Sequence, residues 1–399
     1  MEYRRFGKTE KMLSAITMGG MRFKHCWEDP YDEIPSDTQE HCNQLVQLAL
    51  DYGINHFETA RGYKKSETVF GRTLNEHLKV KRDRYFLMTK GAPVTAEDMR
   101  IKVEEQLTTL KTDYLDFYAW HGINNFDILK ESCKTGGAIE ELHKLKEEGI
   151  VKHIGFSTHA PLEVIIKTIE TDLFEFVNLH YYYFNQRNEA AISMAELKDM
   201  GVFIISPNDK GGQLFNAPQK VRNAIPHATP IQWNARFCLQ NPSVHTLSFG
   251  MTEPEHYAEM NKIFPTHIPL SGNDLQSKFK LDKMIGDDPY AAYGGFNLGN
   301  DRSNIDIPEI LRWRKLWKCY DMLDFARYRY KELNNENHWV RGVLATPSNI
   351  NKINWDKVPQ DIPLKEMLTE AHEAFYKNPS VVKSINPKDL TFVKNKNTN

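Results

Sequence analysis

Eight short apolar runs, each followed by a stretch of helical periodicity, fill the first two-thirds of this chain. That alternation restricts the fold more than any other feature. The runs lie at 14–18, 54–58, 85–89, 115–120, 151–156, 175–181, 202–206 and 244–249. Helical spacing follows at 38–52, 66–78, 95–110, 136–149, 161–171, 189–200, 229–240 and from Pro254. In the first of these, Leu45, Val46, Leu48 and Ala49 recur on one face, and Ser36-Asp37 can open the helix. Parallel strands need crossover helices, and this order supplies one after each strand. Eight units before about residue 264 predict an α/β fold closed as a (β/α)8 TIM barrel, for which ~250 residues is typical. The competing fold is an open doubly wound sheet, but no G-x-G-x-x-G follows the first strand. Residues 2–13, around Phe6-Gly7-Lys8, read as a small hairpin or plug.

From about residue 265 the texture changes. Residues 284–304 are rich in Gly, Asn, Asp and Tyr, a loop composition. Residues 307–333 have apolar residues at helical spacing, with Pro308 suited to a first turn. Another helix is expected around 364–377, and the lysine-rich segment beyond about 385 is expected to fray. The division is therefore a barrel over 1–264 and a mainly helical C-terminal extension over 265–399.

Composition excludes several classes. Net charge is -2, so no global field favours nucleic acid or a membrane surface. No apolar run approaches the ~18 residues a membrane span needs. The N-terminal MEYRRFGKTEKML is charged and shows no apolar signal core. Five cysteines, Cys26, Cys42, Cys133, Cys238 and Cys319, lie far apart, without metal-ligand or redox spacing. A reducing, cytoplasmic location is expected.

The chemistry is expected at the C-terminal ends of the strands, which converge on one mouth of such a barrel. The second run ends on Glu58, the third on Lys90 and the fourth on His121, and Tyr63 lies in the loop after Glu58. A tyrosine with pKa ~10 is a poor acid near neutrality. A lysine ammonium beside it favours the phenolate, and a carboxylate keeps that ammonium in place. A histidine at the same rim can donate to a carbonyl oxygen. Together these suit protonation of an oxygen as hydride reaches the attached carbon. Taken singly, each has a plainer reading: surface tyrosine, solvated lysine, satisfied core histidine, helix-capping acid. Their succession at strand ends carries the functional one.

At these residues the chain resembles the aldo-keto reductases. Glu58-Thr59-Ala60 with Tyr63 is similar to that family's Asp-Thr-Ala and its tyrosine five residues after the acid, and Lys90 and His121 match its lysine and histidine. The resemblance covers about residues 1–264. It implies a nicotinamide cofactor, with NADP favoured and NAD left open, and a small-molecule carbonyl substrate reduced to an alcohol. Tyr63 would be the proton donor, Lys90 would lower its pKa, Glu58 would anchor Lys90, and His121 would orient the carbonyl. Gly155-Phe156-Ser157 resembles the segment whose hydroxyl meets the carboxamide, and Asn178 the amide-bearing position beside it. Gly20-Met21, Ser206-Pro207, Lys210-Gly211 and Gly250-Met251-Thr252 are similar to the remaining nucleotide contacts. The two glycine segments suit backbone contact with phosphates, the second at a helix N-terminus. Two departures stand out: Glu58 replaces the usual Asp, and Gly250 and His256 occupy places where many NADP-using members carry basic residues.

The extension also resembles that of reductases with a ferredoxin-like [4Fe-4S] domain, on Ile305-Asp306-Ile307-Pro308 and on Pro359-Gln360-Asp361-Ile362-Pro363 with Glu370-Ala371-His372-Glu373. Each such cluster needs four thiolates. Beyond residue 264 only Cys319 remains. The resemblance therefore implies a degenerate ferredoxin-like extension with no iron-sulfur cluster and no metal site. The rival functional class is a barrel that binds nucleotide without catalysis, as a sensing or scaffold subunit. A barrel isomerase or lyase would leave Ser157, Asn178 and the glycine segments without purpose. A substrate pocket lined by Met21, Phe23, Trp27 and Trp120 is expected; the oligomeric state is not legible.

Overall fold

The computed structural model describes residues 1–23, 33–299, 301–334 and 338–376. Trp27 and the lysine-rich tail lie outside the described residues. The chain forms two compact units, Met1–Pro207 with Gln232–Ser271, and Asn208–Ile231 with the chain from Gly272 onward.

The first unit opens with a hairpin of β1 (Tyr3–Arg5) and β2 (Met12–Ser14), paired antiparallel. Eight parallel strands follow: β3 (Ile16–Gly19), β4 (His56–Glu58), β5 (Phe86–Gly91), β6 (Leu115–His121), β7 (Val151–Ser157), β8 (Phe176–Leu179), β9 (Gly201–Ile204) and β10 (Thr246–Phe249). They close in sequence order, with β10 pairing both β9 and β3. This is the eight-stranded TIM barrel that the alternation predicts.

The first helices are α1 (Ser36–Asp51), α2 (Ser66–Arg72), α3 (Ala96–Leu110), α4 (Phe126–Cys133), α5 (Ala138–Glu147), α6 (Leu162–Glu170) and α7 (Glu189–Leu197). They are followed by α8 (Gln219–Ala224), α9 (Pro230–Leu239) and α10 (Pro254–Asn261). Local chemistry sets their ends. The Thr95 side chain accepts from the Asp98 amide at the start of α3, and Lys111 closes it in the left-handed region, at φ 55°. In α1 the buried positions Cys42, Leu45, Val46 and Ala49 follow helical spacing. Gly71 lets α2 meet α3 closely, since a Cβ there would lie 2.4 Å from the Thr109 carbonyl oxygen. The short α4 was not anticipated.

Side chains alternate across each strand, so every second residue faces the barrel interior. The lower interior is aromatic. Phe6, from the hairpin loop, sits edge-on to Phe117 at 5.4 Å between ring centroids and 5.5 Å from Phe176. The hairpin thus acts as a plug. Above it the interior turns polar: His56 Nδ1 lies 2.8 Å from the Thr17 hydroxyl, which lies 2.7 Å from that of Thr246. The upper interior positions, Glu58, Lys90, His121, Ser157, Asn178 and Ser248, are the chemically loaded ones.

The second unit is helical. It contains α8, then α11 (Gly272–Lys283), α12 (Ile307–Tyr320), α13 (Leu323–Lys331), α14 (Pro347–Ile350) and α15 (Leu364–Phe375). The segment read as one helical stretch over 307–333 is two helices. Asp321 takes a left-handed conformation at φ 60° and turns the chain between α12 and α13. Trp313, Trp317, Tyr330 and Phe375 form an aromatic core between α12, α13 and α15. Arg314 joins Asp288 and Glu370, each at 2.6 Å. The expected ferredoxin-like character of this extension is not found. Among the described residues no strand follows β10, and helix-on-helix packing supplies the core. Cys319 is buried within it, and desolvation pushes its thiol up to about 11.

His56 is fully buried between Phe117 and Phe203, and its Nε2 has no hydrogen-bond partner. Burial, with a smaller contribution from Lys90, lowers its pKa to about 3. The unfolded chain therefore binds a proton at this residue below about pH 6.5 that the native barrel refuses until about pH 3. Its contribution is complete above the unfolded value and lost as pH falls through that window. The prediction is that His56→Gln removes about 3–5 kcal/mol of the stability lost between pH 6.5 and 3. Urea titrations of both proteins across that range check it, and parallel curves would refute it.

Candidate active site

The upper interior layer follows from register. Glu58 lies opposite Met88, so Lys90 stands one pleat above Met88 on the neighbouring strand. His121 pairs with Ser157, and Ser157 with Asn178. Residues more than 100 positions apart thus come to one rim by strand alternation alone.

Glu58 and Lys90 are buried, at 3% and 0% exposure, and joined through Glu58 Oε1 and Lys90 Nζ. The ammonium also donates to the Thr59 carbonyl at 2.7 Å. The Ser248 hydroxyl donates to Glu58 Oε2 at 3.2 Å. Lys90 Nζ stands 4.7 Å from the centroid of the Tyr63 ring, over its face. His121 meets the same ring edge-on at 5.8 Å. The structure therefore brings Glu58, Tyr63, Lys90 and His121 into one cluster. The loop bearing Tyr63 is tied to β5, because the Arg61 amide donates to the Lys90 carbonyl at 2.9 Å.

The electrostatics run opposite to one expectation. The Tyr63 pKa is raised well above the usual tyrosine range, first by burial, then by the charge and hydrogen bond of Glu58, with Arg22 acting weakly the other way. Burial lowers the pKa of Lys90 itself, against the opposing pull of Glu58 and Glu67. Tyr63 is thus held as a neutral phenol, the form that can donate.

On the nucleotide side, Ser157 and Asn178 are buried neighbours on β7 and β8. The Asn178 amide nitrogen reaches Met88 Sδ at 3.4 Å, and its Oδ1 has no partner. A buried acceptor left unpaired is costly unless a ligand satisfies it. A carboxamide NH2 is a fitting donor, so these residues suit a nicotinamide.

The other expected contacts are scattered. Gly20 is buried where a Cβ would lie 2.3 Å from Ser66 Oγ and 2.4 Å from Phe70, so its smallness serves packing; Met21 is half-buried beside it. Ser206 takes φ 50°, and the Pro207 carbonyl accepts from Asn234. Lys210 and Gly211 belong to the second unit, in a turn closed by the Gln213 amide on the Asp209 carbonyl at 2.8 Å. Gly250 is exposed, and the Arg22 side chain crosses it, 2.8 Å from where a Cβ would stand. Met251 is buried. The Thr252 amide donates to His256 Nδ1 at 3.1 Å, as does that of Glu253 at 3.2 Å. Glu253 caps α10 with its own carboxylate. The helix terminus expected to hold a phosphate therefore has several of its donors engaged by the chain itself.

Two expected pocket residues serve packing instead. Phe23 stacks edge-on to Phe70 at 4.8 Å, and the buried Trp120 donates its indole N–H to the Pro93 carbonyl. Sequence reasoning missed Ser248 and Arg22. The polar pair Thr246 and Ser248, two apart in an apolar strand, was the available signal for the first.

A parallel eight-stranded barrel with a tyrosine, lysine, acid and histidine at its C-terminal rim is the class that fold and site define. Residues 15–227 match the model of the Aldo/keto reductase family. The chain belongs to that family. It is 29% identical over 164 residues to D-arabinose 1-dehydrogenase of Saccharomyces cerevisiae, covering 38% of this chain and 45% of that enzyme. It is 23% identical over 298 residues to the uncharacterised oxidoreductase YqkF of Bacillus subtilis, covering 65% of this chain and 90% of that one. The chain thus spans less than half of the yeast enzyme's length. Among solved structures, an aldo-keto reductase from Klebsiella pneumoniae in complex with NADPH superposes with a TM-score of 0.56 at 21% identity, over 70% of this chain and 95% of that one.

Removing Lys90 leaves a buried carboxylate without its ion-pair partner, which costs far more than the pair contributes. Lys90→Met is expected to destabilise the barrel by about 3–5 kcal/mol, with Glu58→Gln in the same chain recovering most of it. Chemical denaturation of the single and double variants checks this; a single variant as stable as the wild type would refute it.

Proposed function

We propose that this protein is an NAD(P)H-dependent reductase of aldehydes or ketones, running the reverse alcohol oxidation at the same site. The gathering of Tyr63, Lys90, Glu58 and His121 beside the unpaired Asn178 acceptor supports the reading most directly. A bound reduced nicotinamide supplies the hydride. Ser157 and Asn178 hold its carboxamide. Tyr63 keeps its proton near neutrality and gives it to the carbonyl oxygen as negative charge develops there. His121, edge-on to the phenol, orients that oxygen. Lys90 stabilises the phenolate left behind, and Glu58 holds Lys90 charged.

NADP is the cofactor proposed. NAD is the second reading, favoured by the Glu253 carboxylate at the head of α10, where a 2′-phosphate would meet like charge. The cytoplasm suits the four described cysteines, all unpaired. Among the described residues no helix is long and apolar enough to cross a membrane.

A panel of aldehydes and ketones, with NADPH or NADH consumption followed by absorbance, tests the assignment. Tyr63→Phe is expected to lower kcat by at least about 10²-fold while the Kd for NADPH stays within about twofold of wild type. Turnover surviving at the original rate would remove Tyr63 from the chemistry, and nucleotide binding without consumption of any carbonyl would favour the scaffold reading.

A further inference from the structure

Glu67 is a second buried acid near the rim, and the reaction as derived does not use it. It stands in the first turn of α2 and is 1% exposed. Its Oε1 accepts from the Thr89 hydroxyl at 2.6 Å and from the Gln106 side-chain amide at 2.5 Å. The Tyr118 hydroxyl donates to Gln106 Oε1 at 2.9 Å, which fixes the orientation of that amide. Gln106 Nε2 also reaches the Lys90 carbonyl at 3.2 Å, where the Arg61 backbone amide donates at 2.9 Å. Glu67 Oε2 has no hydrogen bond, and the Arg61 guanidinium faces it at 3.8 Å. The other arm of that guanidinium lies 4.0 Å from Glu105. Arg61 is two residues before Tyr63, in the loop that Thr59 closes by donating its hydroxyl to Ser66 at 2.8 Å. Burial raises the Glu67 pKa; the bonds from Thr89 and Gln106, then the charge of Arg61, oppose the rise. Burying an acid costs stability that an apolar side chain of similar size would not forfeit.

We propose that Glu67 is a positioning residue for the reaction, registering the loop that carries Tyr63 against the strand that carries Lys90. The inference rests on the reductase reading. Thr89 faces outward from β5, between the inward Met88 and Lys90 pleats, so Glu67 Oε1 grips the back of the strand that bears the lysine. Through Gln106 the same oxygen is tied to α3 and, one bond further, to the Lys90 backbone. Glu67 Oε2 draws the Arg61 side chain inward, and that pull acts on the chain two residues from the phenol. Phenol and ammonium are set against each other from behind, by an acid outside the cluster itself. At 3.8 Å and without a hydrogen bond, charge is what acts between Glu67 and the guanidinium.

Glu67→Gln removes that charge and keeps the shape. Two donors meet Oε1, so the amide oxygen takes that place and the NH2 turns to Arg61, donor against donor. In the full-length protein, amide hydrogen exchange over 59–66 is expected to quicken about tenfold or more, with β5 and α3 unchanged. With the best carbonyl of the panel and NADPH, kcat is expected to fall about tenfold, while KM and the Kd for NADPH stay within about twofold. Arg61→Met, at a partly exposed position, is the second variant and reads the same contact should Glu67→Gln not fold. It is expected to lower kcat to a similar degree, with the double variant no slower than either single one. Losses that multiply in the double variant, or a kcat that falls only in step with the denaturation midpoint, overturn the proposal. Unchanged exchange over 59–66 in both single variants overturns it as well. Exchange needs no substrate, so that test stands even where the reductase assignment fails.

Discussion

A buried ion pair between Lys90 and Glu58 governs the mouth of this barrel. Both side chains are almost wholly removed from water, and neither could stay charged there alone. Their mutual neutralisation ties β4 to β5 at the rim. Burial, with the carboxylate's charge behind it, leaves Tyr63 as a neutral phenol. The Thr59 carbonyl and the Ser248 hydroxyl complete the shell. Other features of the site depend on this pair, because Tyr63 is placed against Lys90 and His121 against Tyr63.

The barrel was legible because two periodicities alternate along the chain without interruption. Glu58, Lys90, His121, Ser157 and Asn178 of the upper interior layer were legible too, at or near their strand ends, whereas Ser248 was not. What could not be read was direction of charge. From spacing, Lys90 beside Tyr63 implies a lowered phenol pKa; the opposite holds because the phenol is buried, with the charge of Glu58 adding to the rise. How deeply a side chain is buried is set by its three-dimensional neighbours, which no linear spacing reveals.

The nucleotide side shows the same limit. Asn178 was singled out by the family resemblance, and its unpaired oxygen is a property only of the folded chain. Phe23 and Trp120 looked like pocket walls because they are aromatic and near the rim, yet one packs on α2 and the other bonds to Pro93. In the extension, helical spacing over 307–333 was visible, but the left-handed turn at Asp321 was not, since aspartate is compatible with either conformation. The likeness to a ferredoxin-like module failed because short proline motifs were asked to stand for a topology that four thiolates organise.

The plug bears on what the neighbouring strand can carry. With Phe6 wedged between Phe117 and Phe176, the lower end of the barrel is stoppered by rings. The same ring presses on the start of β9: a Cβ on Gly201 would lie 2.7 Å from it, so the stopper admits no side chain at that position without moving.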